Sequence, residues 1–255
     1  MNITTLGSHN CESQHTRLTS ILVDDRLVID AGAITASLPF EAQEKLAAVL
    51  LTHQHYDHIK DIPLLAFNRA IKWSYIDVYS TPPVFEVLKL IFENDIYPNF
   101  LEFPDDSPSL KLRTVTPYRA ETIAGYQVLP LPVNHSRATC GYHVTASDGL
   151  NFFYTGDTVP GLANCWERIS PQMLITEVSA PDRFRELYQS RGHFTPTLLR
   201  QEMESFRTLK GYLPQIVIVH MNPELEKEIR NELNAVARAL DHPITPTHEG
   251  MRLKV

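Results

Sequence analysis

The chain has 255 residues, enough for one large domain with a substantial core, and residues 1–255 are read as that single domain. Hydrophobic content of 43% and charged content of 21% exclude a disordered chain, and no apolar stretch approaches the ~20 residues of a membrane span. A net charge of −7 argues against an extended phosphate-tracking surface, so nucleic acid is not the expected partner, although a local basic patch remains compatible with it.

Met1 to Thr5 lacks the basic and then apolar regions of a signal peptide, so a cytoplasmic location is expected. Ile3 to Leu6, Leu18 to Asp24 and Leu27 to Asp30 read as strands, with Asp24-Asp25 as a hairpin turn. Ser37 to Leu46 reads as a helix. It leads into the apolar run Ala47 to Thr52, a buried strand. A helix is predicted over Ile59 to Arg69 despite Pro63 in its early turns. Ile76 to Ser80 reads as a strand, and Pro82-Pro83 open a helix reaching about Glu93. Residues 94–110, with Pro98, Pro104 and Pro108, read as irregular. Strands follow at Leu112 to Thr116, Gln127 to Pro130, Thr139 to Thr145 and Asn151 to Thr155. Val159 to Gln172 reads as a helical connection. Strands at Met173 to Thr176 and Ile216 to His220, and helices at Pro196 to Thr208 and Pro223 to Leu240, complete the chain. Strands with occasional helices, given twice, predict an α+β sandwich of two sheets covered by helices.

The run His53-Gln54-His55-Tyr56-Asp57-His58 places four candidate metal ligands within six residues, at the carboxyl end of a buried strand. A rigid support of that kind is what a metal site requires. Cys11, Cys140 and Cys165 show no CxxC spacing and are odd in number, so nitrogen and oxygen ligands are expected instead of thiolates.

The run resembles the HxHxDH signature of the metallo-β-lactamase superfamily. The resemblance implies two divalent metal ions, with His53 and His55 at the first and Asp57 and His58 at the second. It implies further ligands downstream. His135, after Pro132-Val133-Asn134, would complete the first site. Asp157, in Tyr154-Thr155-Gly156-Asp157-Thr158, would bridge both, and His220, after Ile216 to Val219, would complete the second. Each ion would keep an open position, as catalytic zinc does. Zinc is the expected metal, and manganese or iron suits the same ligands. Two ions ~3.5–4 Å apart activate a bridging hydroxide, and Asp57 is counted with the catalytic residues as well as the ligands.

Three further segments resemble the ribonuclease Z branch: the one around Asp157, Leu174-Ile175-Thr176-Glu177-Val178-Ser179, and Gly192-His193-Phe194-Thr195. Leu6-Gly7-Ser8 and Ile29-Asp30-Ala31-Gly32 fit the same branch. The resemblance implies the αββα fold, with His193 as general acid and Glu177 as the carboxylate that keeps it protonated. Ribonuclease Z carries a long glycine-rich and basic arm that grips transfer RNA. Only Val159 to Gln172 separates the Asp157 turn from the next strand here. Class II cyclic-nucleotide phosphodiesterases share the motif without the arm. The expected activity is therefore a phosphodiesterase acting on a small substrate such as a cyclic nucleotide, and a homodimer is compatible with the branch. The alternatives are a ribonuclease Z-like RNA phosphodiesterase, or a lactone, thioester or sulfate-ester hydrolase on the same site. A non-catalytic metal-binding or RNA-binding scaffold is least favoured, because all seven ligand positions are intact.

Other polar residues carry lesser expectations. His9 and His15 read as structural or rim positions in the loop Gly7 to Arg17, His143 as a strand residue, and His242 as exposed. His248 lies in a late loop that could approach the site. Arg183, Arg185 and Arg191 flank the His193 loop and could hold a substrate phosphate.

Overall fold

Strands buried on both faces must be apolar at nearly every position, and the central strands of this chain are. The computed structural model describes every residue except 95 and 106. Its first sheet is built from β1 (Asn2–Gly7), β2 (Ser20–Val23), β3 (Leu27–Ile29), β4 (Ala48–Leu50), β5 (Ile76–Ser80), β6 (Leu110–Thr114) and β14 (Arg252–Lys254). They lie in the order β14-β1-β2-β3-β4-β5-β6. The second sheet contains β7 (Glu121–Ile123), β8 (Tyr126–Val133), β9 (Thr139–Thr145), β10 (Asn151–Tyr154), β11 (Met173–Glu177), β12 (Gln215–Val219) and β13 (Ile244–Pro246), in the order β13-β12-β11-β10-β9-β8-β7. Each sheet joins an antiparallel half to a parallel half. The change falls at β3 in the first sheet and at β10 in the second.

The inner faces meet in a core that includes Ile21, Ile29, Leu50, Tyr142, Phe152, Ile175 and Val217. The outer face of the first sheet is covered by α1 (Ile34–Ser37), α2 (Phe40–Lys45), α4 (Ile62–Ala70) and α5 (Pro82–Glu93), with α3 (Tyr56–Ile59) at its end. The second sheet is covered by α6 (Ala163–Trp166), α8 (Pro196–Lys210) and α9 (Glu226–Leu240), while the short α7 (Arg185–Ser190) lies at the rim. The result is the expected α+β sandwich in four layers. Among the described residues no helix is long and apolar enough to cross a membrane.

The local departures from expectation have local causes. Of the helix predicted over Ser37 to Leu46 only Phe40–Lys45 is formed as α2, because extended Leu38 and Pro39 separate it from α1, which ends at Ser37. The residue before a proline is pushed out of helical geometry. The helix predicted over Ile59 to Arg69 likewise splits into α3 and α4, with Pro63 in the first turn of α4, where its missing N–H costs nothing. Pro223 precedes α9 instead of opening it. Asp24 and Asp25 both have positive φ, 44° and 56°, as a two-residue turn between twisted strands requires. Of the irregular stretch 94–110, residues 95 and 106 lie outside the described residues.

Candidate metal centre

Every residue singled out for metal lies just beyond the carboxyl end of a strand, at one rim of the sandwich. β4 leads to the run His53 to His58, β8 to His135, β10 to Asp157 and β12 to His220. Open sheets with parallel strands place ligand sites at that end. Two turns there depend on glycine. Gly156 has φ +63°, and a Cβ on it would sit 2.9 Å from Thr52. Gly192 has φ +90°, and a Cβ would sit 2.5 Å from the Nδ1 of His135. Both turns can therefore close onto the histidine loops only without a side chain.

The seven candidates converge in two groups. His53, His55, His135 and Asp157 offer ligand atoms all within 4.8 Å of one another, and so do Asp57, His58 and His220. In the first group His53 Nε2 and His135 Nε2 lie 2.9 and 3.3 Å from His55 Nδ1. In the second, Asp57 Oδ2 lies 3.2 Å from His220 Nε2 and 3.5 Å from His58 Nε2. The Asp157 carboxylate stands between them: Oδ2 is 3.6 Å from His53 and 3.4 Å from His58, and Oδ1 is 3.5 Å from His220.

The far side of four of the five rings is committed. His53 Nδ1 meets Thr52 Oγ1 at 3.0 Å, and His135 Nδ1 donates to the carbonyl of Gly192 at 2.8 Å. His58 Nδ1 donates to Asp30 Oδ2 at 2.7 Å, and His220 Nδ1 to Ser179 Oγ at 2.8 Å. Such partners fix the tautomer so that the remaining nitrogen presents a lone pair inward. Burial, then the neighbouring His58, holds His53 well below its ordinary value, and burial also lowers His55 and His135. Neutral imidazoles are what a metal needs.

Around His58 the balance reverses. Burial opposes its charge, but Asp157, Asp30 and Asp57 outweigh burial and raise it well above the ordinary value. Burial likewise opposes ionisation of Asp157, yet His220 and His58 hold it well below the usual carboxylate range. Asp57 is also held low, His58 and His220 overcoming burial. This negative cluster favours a cation. Two buried atoms, His58 Nε2 and Asp157 Oδ1, have no hydrogen-bond partner. Buried polar atoms are rarely left so, because each costs ~1–3 kcal/mol. A divalent ion in each group would satisfy both, so the residues fit the metals that the motif implies.

His193 and Glu177 lie side by side. Glu177 is fully buried at the end of β11, and His193 Nδ1 donates to its Oε1 at 2.9 Å. Burial works against a charged His193, but Glu177 prevails and pushes it up to about 9. Asp157, His193 and His220 also converge within 4.8 Å. His193 Nδ1, however, lies 3.8 Å from Asp157 against 2.9 Å from Glu177.

Several contributors have roles that the sequence did not assign, although Asp30 and Ser179 lie in two of the segments that carry the resemblance. Asp30, fully buried with φ +59°, accepts hydrogen bonds from Thr52 N–H, Tyr154 OH and His58. Ser179 donates to Glu177 and accepts from His220, joining the carboxylate to a candidate ligand. A cavity of about 350 Å³ opens over the centre, and Asn10, Cys11, Tyr188, Arg191 and Asn222 contribute to its rim. Asn10 and Cys11 carry no motif that sequence could flag.

The remaining histidines stay out of the two groups. His9 is buried outside the two candidate metal groups, between Glu249 at 2.6 Å and Glu226 at 3.3 Å. His15 and His248 are exposed, and His143 meets Asn151 within the sheet. His242, expected to be exposed, is half-buried because its Nε2 reaches the carbonyl of Pro214 at 2.8 Å. Arg183 is held by Glu228 at 3.0 Å, and Arg185 is exposed, whereas Arg191 lines the cavity.

Comparison with known proteins supplies the family context. A family model described as a beta-lactamase superfamily domain matches residues 25–221. A hydroxyacylglutathione hydrolase of Psychromonas ingrahamii is 32% identical over 102 residues, which are 39% of this chain and 37% of that protein. This chain thus spans well under half of that relative's length. The crystal structure of unliganded yeast PDE1 superposes with a TM-score of 0.84, covering 100% of this chain and 99% of the other at 16% identity. That of human tRNase Z, short form, gives 0.70, covering 100% and 99% at 15% identity. At such identities the two structures speak for the fold alone.

Proposed function

Because this chain belongs to the metallo-β-lactamase superfamily, whose hydrolases act through divalent metal, we propose that it is a phosphodiesterase acting on a small phosphodiester. Two metal ions would be held by His53, His55, His135 and Asp157 and by Asp57, His58, His220 and Asp157. When bound, such ions supply an acidified water and positive charge against the transition state. The observation that carries the phosphoester reading is the pair of buried Glu177 and half-buried His193 at 2.9 Å beside the candidate metal groups.

Glu177, fully buried, holds His193 by Nδ1. Its carboxylate raises His193 to about 9 against burial, so His193 carries its proton at neutral pH. As the water oxygen bonds to phosphorus and the bond to the leaving oxygen breaks, His193 gives that oxygen its proton. It is then reprotonated from the proton that the water released. An alkyl phosphodiester expels an alkoxide, a poor leaving group unless protonated, so a positioned acid matters more here than for a thiolate leaving group. Arg191, at the cavity rim, suits a non-bridging phosphate oxygen. The connection from Val159 to Gln172 carries the short α6 and no long basic arm, which supports a small substrate over transfer RNA.

Zinc- or manganese-loaded protein should turn over bis-p-nitrophenyl phosphate, and Asp157→Ala should lose metal and turnover together. If the loaded protein cleaves neither this reporter nor any cyclic nucleotide, the phosphodiesterase reading falls. The local likeness to the hydroxyacylglutathione hydrolase favours a second reading, hydrolysis of a carboxylic ester or thioester by the same centre. A panel of p-nitrophenyl carboxylates, lactones and acyl thioesters, run beside the phosphodiester, separates the two.

A further inference from the structure

A second, more apolar concavity lies beside the metal cavity and takes no part in the chemistry above. It measures about 800 Å³ and is lined by α4, α5 and the chain that follows α5, with Leu64, Val87, Leu90, Ile91 and Ile96 as its apolar walls. The metal-binding run forms the partition. Gln54 and Tyr56 line the groove, while His55 and Asp57 line the metal cavity. Alternate residues of one loop thus face two adjoining spaces. Leu90, Tyr56 and Ile96 are 57%, 67% and 70% exposed, which is unusual for apolar surface with no role in packing.

Two features mark the groove as a ligand site. Its volume falls within the ~300–1,000 Å³ of small-molecule pockets, which are mostly apolar with a few placed polar groups. The second feature is its place: Gln54 and Tyr56 line it while their chain neighbours His55 and Asp57 line the metal cavity, so a substrate seated over His55 and Asp57 has this apolar wall beside it.

We propose that the groove is the subsite for an apolar arm of the substrate, so that the preferred phosphodiester carries an aryl or medium-length alkyl group next to the scissile phosphate. This rests on the phosphodiesterase reading, and it deepens that reading by naming the substrate class. The polar end of the substrate occupies the cavity over the metals. The arm passes Tyr56 and lies against Leu90 and Leu64.

The test compares methyl p-nitrophenyl phosphate with octyl p-nitrophenyl phosphate on the metal-loaded full chain. The octyl ester should have a kcat/KM larger by about 10–100-fold, the range that one or two well-buried groups give. Leu90→Asp should abolish that preference and leave the methyl ester within about twofold of the parent value, a change too small to register as lost chemistry. Leu64→Asp provides a second variant on another helix. Binding of octylphosphonate, whose P–C bond hydrolysis does not break, is measured by calorimetry against methylphosphonate. It should favour the octyl compound by a similar factor in the parent and by none in Leu90→Asp. If neither ester is hydrolysed but this binding preference persists, the phosphodiesterase reading fails and the apolar subsite stands. Equal binding and equal kcat/KM for the two chain lengths would overturn the subsite. So would a Leu90→Asp variant that lowers both esters alike. A dimer that Leu90→Asp dissociates with chain-length preference unchanged would also overturn it, since a second copy would then cover the groove.

Discussion

His58 shows why a ligand must be judged by what stands behind it. Its inward nitrogen has no protein partner, and its outward nitrogen is fixed by Asp30, a residue 28 positions away in sequence. Asp30→Asn keeps the shape but removes the carboxylate that orients the ring. Metal affinity should fall by about 10–100-fold, read by competition with a chelating dye, while the fold persists. His193 is a different case. His193→Ala should retain both metals and slow turnover by ~10²–10⁴-fold. If that variant loses a metal instead, His193 is a ligand and the proton role is wrong. The acid must be protonated to act. With His193 raised to about 9, the rate should therefore fall as pH rises toward that value. Bound cations shift this limb lower. The limb should be absent from the residual activity of His193→Ala. His9, raised by Glu249 and Glu226 against burial, works through stability. Its contribution is complete below its ordinary value of 6.5 and is lost as pH climbs through the raised folded value.

Elements with a strong sequence pattern were legible and those defined only by their neighbours were not. β5, β9 and α5 fall where alternation, apolar runs and the Pro82-Pro83 start place them. The edge strands Glu121–Ile123, Ile244–Pro246 and Arg252–Lys254 are three residues long and partly polar. Only pairing with β8, β12 and β1 makes them strands. The same logic divides the site. The seven convergent residues announce their role by their type and spacing, while Asp30 and Ser179, although inside resemblance segments, take their roles from contacts across the fold. α6 offers a test at this scale. Glu202 on α8 accepts from the N–H groups of Gly161 and Leu162 and from the indole of Trp166, while 3% exposed. Glu202→Leu would leave three donors unsatisfied, at ~1–3 kcal/mol each before relaxation. Thermal unfolding should show a loss of several degrees, and Glu202→Gln should recover part of it.

The metal centre draws on both halves of the sandwich. The run from His53 to His58 follows the first sheet, and His135, Asp157 and His220 follow the second. Ions bound there would tie the sheets together in the native state and find no such site in the unfolded chain. Ligand at 100 times its dissociation constant adds ~2.7 kcal/mol per site. Exhaustive chelation should therefore lower the melting temperature, and zinc should restore it. An unchanged melting temperature would mean that the centre binds no metal at working concentration. The molecule also provides a way to watch its own cavity. Cys140 and Cys165 are buried, while exposed Cys11 lines the cavity over the candidate metal ligands. A thiol-reactive fluorophore would therefore attach once per chain, at the entrance, and its emission would report the arrival and departure of substrate in real time.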